Sequence, residues 1–146
     1  MSPSGSSVTS GESLVDALAR AAFVTMAVLN KLGGENDLSL TQLRVCGILR
    51  DRRLRMAALA TYLGLEKSTM TGLVDRAEAR GLMARAPSED DGRAIDVFLT
   101  KEGQKLADRL EGQFREALAP LTQRLSGTEQ RRLRALLERM LDDPEG

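Results

Sequence analysis

Two short helical segments separated by a two-residue break, followed at once by alternating extended segments, occupy Met56 to Thr100 and constrain the fold more than any other stretch. Met56 to Leu63 carries apolar residues at helical spacing, Gly64-Leu65 interrupts it, and Lys67 to Arg80 resumes the period. Leu82 to Ala86 then begins an extended segment, Asp91-Gly92 forms a hairpin-turn pair, and Ala94 to Leu99 alternates with Ile95, Val97 and Leu99 on one face. The expected fold is mainly α with a small β-hairpin wing: a winged helix-turn-helix domain flanked by N- and C-terminal helical regions.

The flanks carry their own periodicity. Residues 1–11 are rich in Ser and Gly and are expected to form a disordered tail. From about Ser13 to Leu32 a helix is expected, with Leu14, Leu18, Ala22, Met26 and Leu29 on one stripe, widened by Phe23, Ala27 and Val28, and ended by Gly33-Gly34. Its second half is apolar almost all round. A chain of 146 residues has little to bury such a helix against, so a second copy is the expected partner. Ser39 and Gln42 form a capping box that opens the next helix, with Leu38 and Leu43 as a hydrophobic staple and Leu43, Cys46, Gly47 and Leu49 inward. Beyond the wing, Leu106, Leu110, Phe114, Leu118, Leu121 and Leu125 make one seam, and Ser126 with Glu129 caps a last helix with Leu133, Leu136, Leu137, Met140 and Leu141 inward. The expected organisation is a tail (1–11), an N-terminal dimerisation helix (12–36), the winged domain (37–100) and C-terminal dimerisation helices (101–142).

Composition removes several classes of chemistry. With no histidine and one cysteine, Ser-His-Asp or Cys-His catalysis and the usual Cys/His zinc sets are excluded, and no Gly-rich phosphate loop is present. No enzyme activity, cofactor or metal site is expected. The apolar stretch Ala21 to Leu29 falls short of the roughly 18 residues of a membrane span, so the expected location is the cytoplasm, with no membrane partner. Overall charge is zero, but residues 44–93 hold ten Lys/Arg against seven acids. The positive field therefore falls on the helix-turn-helix, where a polyanion would sit. Within it Arg50, Arg52, Arg53 and Arg55 leave two readings open, a solvated face or a phosphate contact.

Leu59-Ala60, Gly64-Leu65, Ser68-Thr69-Met70-Thr71, Leu73-Val74-Asp75-Arg76, Gly81-Leu82, Arg85, Asp91-Gly92-Arg93, Leu99-Thr100 and Gly103 together resemble the MarR family of winged-helix transcription regulators. The resemblance spans nearly the whole chain. It implies a homodimer on the palindromic operator of double-stranded DNA, usually acting as a repressor and released by a small phenolic or anionic effector or by an oxidant. It assigns Lys67 to Arg76 to the major-groove helix, Arg93 to a wing tip in the minor groove, and Asp91 to bracing Arg93. Glu66, Gly72 and Ala77 depart from the family pattern.

A helical wheel over Lys67 to Arg80 turns Met70, Leu73, Val74 and Ala77 inward and leaves a short or acidic outward ridge. The candidate DNA contacts are Lys67, Ser68, Thr69, Thr71, Gly72, Arg76, Asp91 and Arg93. Only Arg76 reaches a base edge from that helix, so specificity is expected to lean on groove shape, with Arg93 in a narrow minor groove. The competing reading has Arg93 merely pairing with Asp91. A ligand pocket is expected where the helical body meets the winged module, near Phe23, Met26, Cys46 and Tyr62, with core filling as the alternative for each. Two other functions stand beside the effector-released repressor. One is a winged-helix protein-interaction module with little specific DNA affinity. The other is a repressor that senses oxidants through Cys46, its thiol activated by Arg50.

Overall fold

A computed structural model describes residues 10–142. Six helices and three short strands follow one another as α1 (Ser10–Glu35), α2 (Leu40–Leu49), β1 (Leu54–Arg55), α3 (Met56–Leu63), α4 (Lys67–Ala79), β2 (Met83–Pro87), β3 (Ile95–Leu99), α5 (Lys101–Thr122) and α6 (Gly127–Leu141). Residues 1–9 of the expected tail lie outside the described residues, whereas Ser10 and Gly11 belong to α1.

The helix-turn-helix follows its sequence pattern closely. Gly64 ends α3 at φ +66, a conformation in which a side chain would be strained, and its amide bonds back to Thr61. Met70, Leu73, Val74 and Ala77 of α4 are buried, as the wheel requires. With Val45, Cys46, Leu49, Leu59, Met83 and Val97 they form one core between α2, α3, α4 and the sheet. Leu38, Leu106 and Leu110 make a smaller second core, against which Leu43 packs, so both staple residues share one cluster. Both capping boxes form: Ser39 and Gln42 exchange side-chain-to-backbone bonds, and so do Ser126 and Glu129.

Three details differ from the sequence reading. Gly33 and Gly34 lie inside α1, which runs on to Glu35. A Cβ at residue 33 would stand 2.5 Å from the Leu38 carbonyl oxygen, so this glycine serves close packing of the α1–α2 turn and not helix termination. In α2, Val45 is buried and Gly47 is exposed, the reverse of the expected stripe. The wing is also not a bare hairpin: β3 is the central strand of an antiparallel sheet ordered β1-β3-β2, with Leu54 opposite Val97 and Arg55 opposite Asp96. Covered on both sides, β3 buries Asp96 as well as Val97, while Ile95 runs beyond the core and is 40% exposed. The Asp96 carboxylate accepts a 3.1 Å bond from Arg53 Nε, and the same guanidinium lies over the Phe98 ring.

The flanking helices are the uncovered part. Leu14, Val15, Phe23 and Met26 of α1 are exposed, and so are Leu133, Leu136, Met140 and Leu141 of α6, in which no residue is buried. Ser13–Glu35 is long and apolar enough, by length and composition, to cross a membrane. It nonetheless includes Asp16, Arg20, Lys31 and Glu35, with Asp16 and Arg20 paired on its surface.

Candidate nucleic-acid interface

One concavity of about 580 Å³ lies where α3, the start of α4 and the wing converge. Its floor is small and apolar, from Met56, Ala57, Ala60, Leu65, Ala94 and Ile95, and its rim carries Arg55, Lys67, Arg85 and Arg93. These cations come from four separate places in the chain and are brought together only by the fold. Arg85 is the one already engaged. Its guanidinium donates 2.5 Å bonds to Glu78 and to Asp75 on α4, which hold it firmly protonated and tie the wing strand to that helix. Among the described residues, Arg55, Lys67 and Arg93 take part in no ion pair. Three cations free of ion pairs line one groove, a lining suited to phosphates.

The candidate contacts divide accordingly. Lys67, Thr71 and Arg93 line the groove, while Ser68 and Thr69 are exposed at the head of α4. The Thr71 hydroxyl donates to the Lys67 carbonyl and is spent within the helix. Glu66 makes no side-chain capping bond, so the first-turn amides of α4 gain no acceptor from it, and a helix start of this kind suits a phosphate oxygen. Arg76 and Asp75 lie further along the exposed ridge. A Cβ at residue 72 would stand 3.4 Å from the Arg76 guanidinium, so Gly72 leaves room for Arg76 to lie along the helix. At the wing, the Asp91 carboxylate accepts a 3.0 Å bond from the backbone amide of Arg93. Asp91 thus closes the turn through the backbone and leaves the Arg93 side chain exposed.

Arg55 and Arg85 are groove residues that the sequence did not single out as contacts. The run from Arg50 to Arg55 contained the signal but not its division. Arg50 pairs with Glu111 at 3.4 Å, Arg52 donates to the Ile48 carbonyl and Arg53 holds Asp96, so three of the four serve the fold and Arg55 alone faces the groove.

A second cavity, of about 550 Å³, lies between α1, α2 and α5. Met26 and Cys46 line it with Leu29, Leu43, Leu110 and Phe114, and Arg44, Arg50 and Glu111 supply its polar groups. Phe23 and Tyr62, the other two expected ligand residues, do not line it. Phe23 is 77% exposed on the open face of α1, and Tyr62 is exposed with Arg44 stacked 5.5 Å above its ring. Burial pushes the Cys46 thiol up to about 11, opposed only in part by the charge of Arg80, which takes the place expected for Arg50. At neutral pH the thiolate is therefore roughly one part in 10⁴, which disfavours oxidation chemistry there.

Comparison with known proteins agrees with this architecture. The sequence profile described as the MarR family matches residues 36–94. The HTH-type transcriptional regulator PecS of Dickeya dadantii is 28% identical over 131 residues, covering 87% of this chain and 79% of that protein. The homoprotocatechuate degradative operon repressor of Escherichia coli is also 28% identical, covering 89% and 88%. The crystal structure of NadR in complex with 4-hydroxyphenylacetate superposes with a TM-score of 0.76 at 23% identity, covering 94% of this chain and 96% of NadR. By its helix-turn-helix, its three-stranded wing and these likenesses, the chain is similar to MarR-family regulators, with the family profile matching residues 36–94.

Proposed function

We propose that this chain is a transcriptional repressor that binds a palindromic operator as a homodimer and is released by a small phenolic or anionic effector in the cytoplasm. The observation that carries the reading is the groove in which Arg55, Lys67 and Arg93 stand unpaired beside the exposed head of α4. In this account the head of α4 enters the major groove, with Lys67, Ser68 and Thr69 nearest the DNA. Arg93 follows the wing into the adjacent minor groove, and Arg55 takes the intervening phosphate. Because α4 offers few side chains that reach base edges, much of the discrimination comes from groove width at Arg93.

The uncovered faces of α1 and α6 support the dimer. Apolar side chains left exposed along both α1 and α6, on a chain with a closed core elsewhere, call for a partner, and a twofold repeat matches a palindrome. Asp16, Arg20, Lys31 and Glu35 along α1 fit a protein partner better than a bilayer interior. The cavity lined by Met26 and Cys46 supports the effector: it joins α1 and α5 to α2, so a ligand there touches both the arms and the winged module. The homologous E. coli protein is named as a repressor, and NadR was solved with a phenolic acid.

The test is selection of bound duplexes from fragments of the native genome, followed by competition against random DNA at physiological salt. The expected ratio of specific to random affinity is about 10³ or more, and Arg55→Ala and Arg93→Ala each reduce the salt slope by about one. A ratio near one removes the repressor and leaves a protein-interaction module.

A further inference from the structure

The recognition helix α4 is anchored at its two ends by different means. Its body is held by the core and by Arg85, both within the winged module. Its C-terminal end is held by the turn at the boundary between α1 and the winged module. Arg80 caps α4, and its guanidinium reaches across to the α1–α2 turn, donating 2.7 Å to the carbonyl of Asp37 and 3.1 Å to that of Asn36. These two carbonyls lie just beyond the end of α1, where the helix dipole is negative and a cation is favoured.

The turn that Arg80 grips is itself built tightly. Asp37 is held at φ +54, in the left-handed region unfavourable to a side chain, by the bond from the Leu38 amide to the Gly33 carbonyl. Asn36 caps α1 by donating to the Leu32 carbonyl, and its side-chain oxygen accepts from Arg109 on α5. One turn therefore joins α1 and α5 to the end of α4. Among the described residues, Arg80 supplies the side-chain hydrogen bonds that link α4 to this turn.

From this geometry we infer that Arg80 is a positioning residue that sets the distance and angle at which the dimer presents its two recognition helices, and so selects the spacing between operator half-sites. The inference rests on the proposed homodimer. In it, α1 belongs to the shared body and α4 to the reader, so a two-point clamp between them fixes how far each reader swings from the twofold axis. The guanidinium suits this role because its fork spans two successive carbonyls, whereas an ammonium is a single point charge.

The experiment uses the full chain and a duplex recovered from DNA upstream of its own gene, together with versions carrying one or two base pairs inserted or deleted at the centre. Wild type must first prefer one spacing; if it does not, the dimeric repressor reading fails, whatever Arg80 does. Given that preference, Arg80→Met is expected to cut the discrimination between the best and altered spacings by about 5- to 10-fold, within the usual range of coupling between sites. The salt slope and the thermal midpoint should stay unchanged, and Arg80→Lys should fall between the two. Discrimination unchanged in Arg80→Met overturns the inference. So does a uniform loss of affinity at every spacing with the salt slope reduced by about one, which makes Arg80 a phosphate contact instead.

Discussion

The winged reader and the helical arms share the same apolar periodicity, yet Val45, Leu59, Val74 and Val97 of the reader are fully shielded, whereas Leu133, Leu136 and Met140 of α6 are between 43% and 51% exposed. The reader closes its own core because α2, α3, α4 and the sheet approach one another from different directions. The arms present single stripes with too little of the chain left to cover them. One part of the molecule closes its own core, and the other leaves apolar side chains uncovered. Under the proposed function this division suits a regulator: the closed reader would deliver side chains to DNA, and association of the arms would decide where two readers stand.

Breaking the arms should have the largest effect. Leu133→Glu combined with Leu136→Glu removes two apolar anchors worth about 1.5–3 kcal/mol each, so the dimer dissociation constant in sedimentation equilibrium should rise by at least about 100-fold. Far-UV circular dichroism should show the reader still helical. An unchanged dissociation constant would mean that these faces are covered by something other than a second copy.

In the reader, Leu59→Ala cuts a cavity into the closed core and should cost about 2–5 kcal/mol in urea denaturation at fixed protein concentration, without shifting the dimer equilibrium measured under native conditions. A loss under about 1 kcal/mol would show that this core is looser than its shielding implies. Cys46 gives a smaller and pH-dependent effect. Its thiol stays neutral in the folded chain up to about 11 but ionises from 9.0 when unfolded, so its contribution is complete below pH 9 and is lost as pH rises through 11. The predicted loss is about 2–3 kcal/mol, and Cys46→Ala should remove that part of the alkaline decline. A decline identical in wild type and Cys46→Ala would contradict the burial of this thiol.

What the sequence disclosed follows from the range of the interactions involved. The bounds of α3 and α4, the two capping boxes and the Leu38–Leu43 staple depend on residues three to five apart, and they are written locally. β1 is two residues long, too short for any alternation to show, and exists because Val97 and Asp96 offer it an edge. The sorting of four arginines depends on partners far away in sequence: Asp96 for Arg53, Glu111 for Arg50 and the groove for Arg55. Gly33 looked like a stop because glycine commonly ends helices, whereas here a carbonyl five residues on requires it. The candidate interface was legible as a region, and with it Lys67 and Arg93, but Arg55 was not separable from its neighbours. Of the four residues expected to line a ligand pocket, Met26 and Cys46 line the cavity between α1, α2 and α5, while Phe23 and Tyr62 do not.

The most direct measurement of the central claim is the stoichiometry and salt slope of the complex between the full chain and its selected duplex. Two chains per duplex, with log affinity falling against log salt at a slope of about −5 to −9, is the result predicted for six to ten phosphate contacts shared by a dimer. One chain per duplex, or a slope near zero, would contradict it.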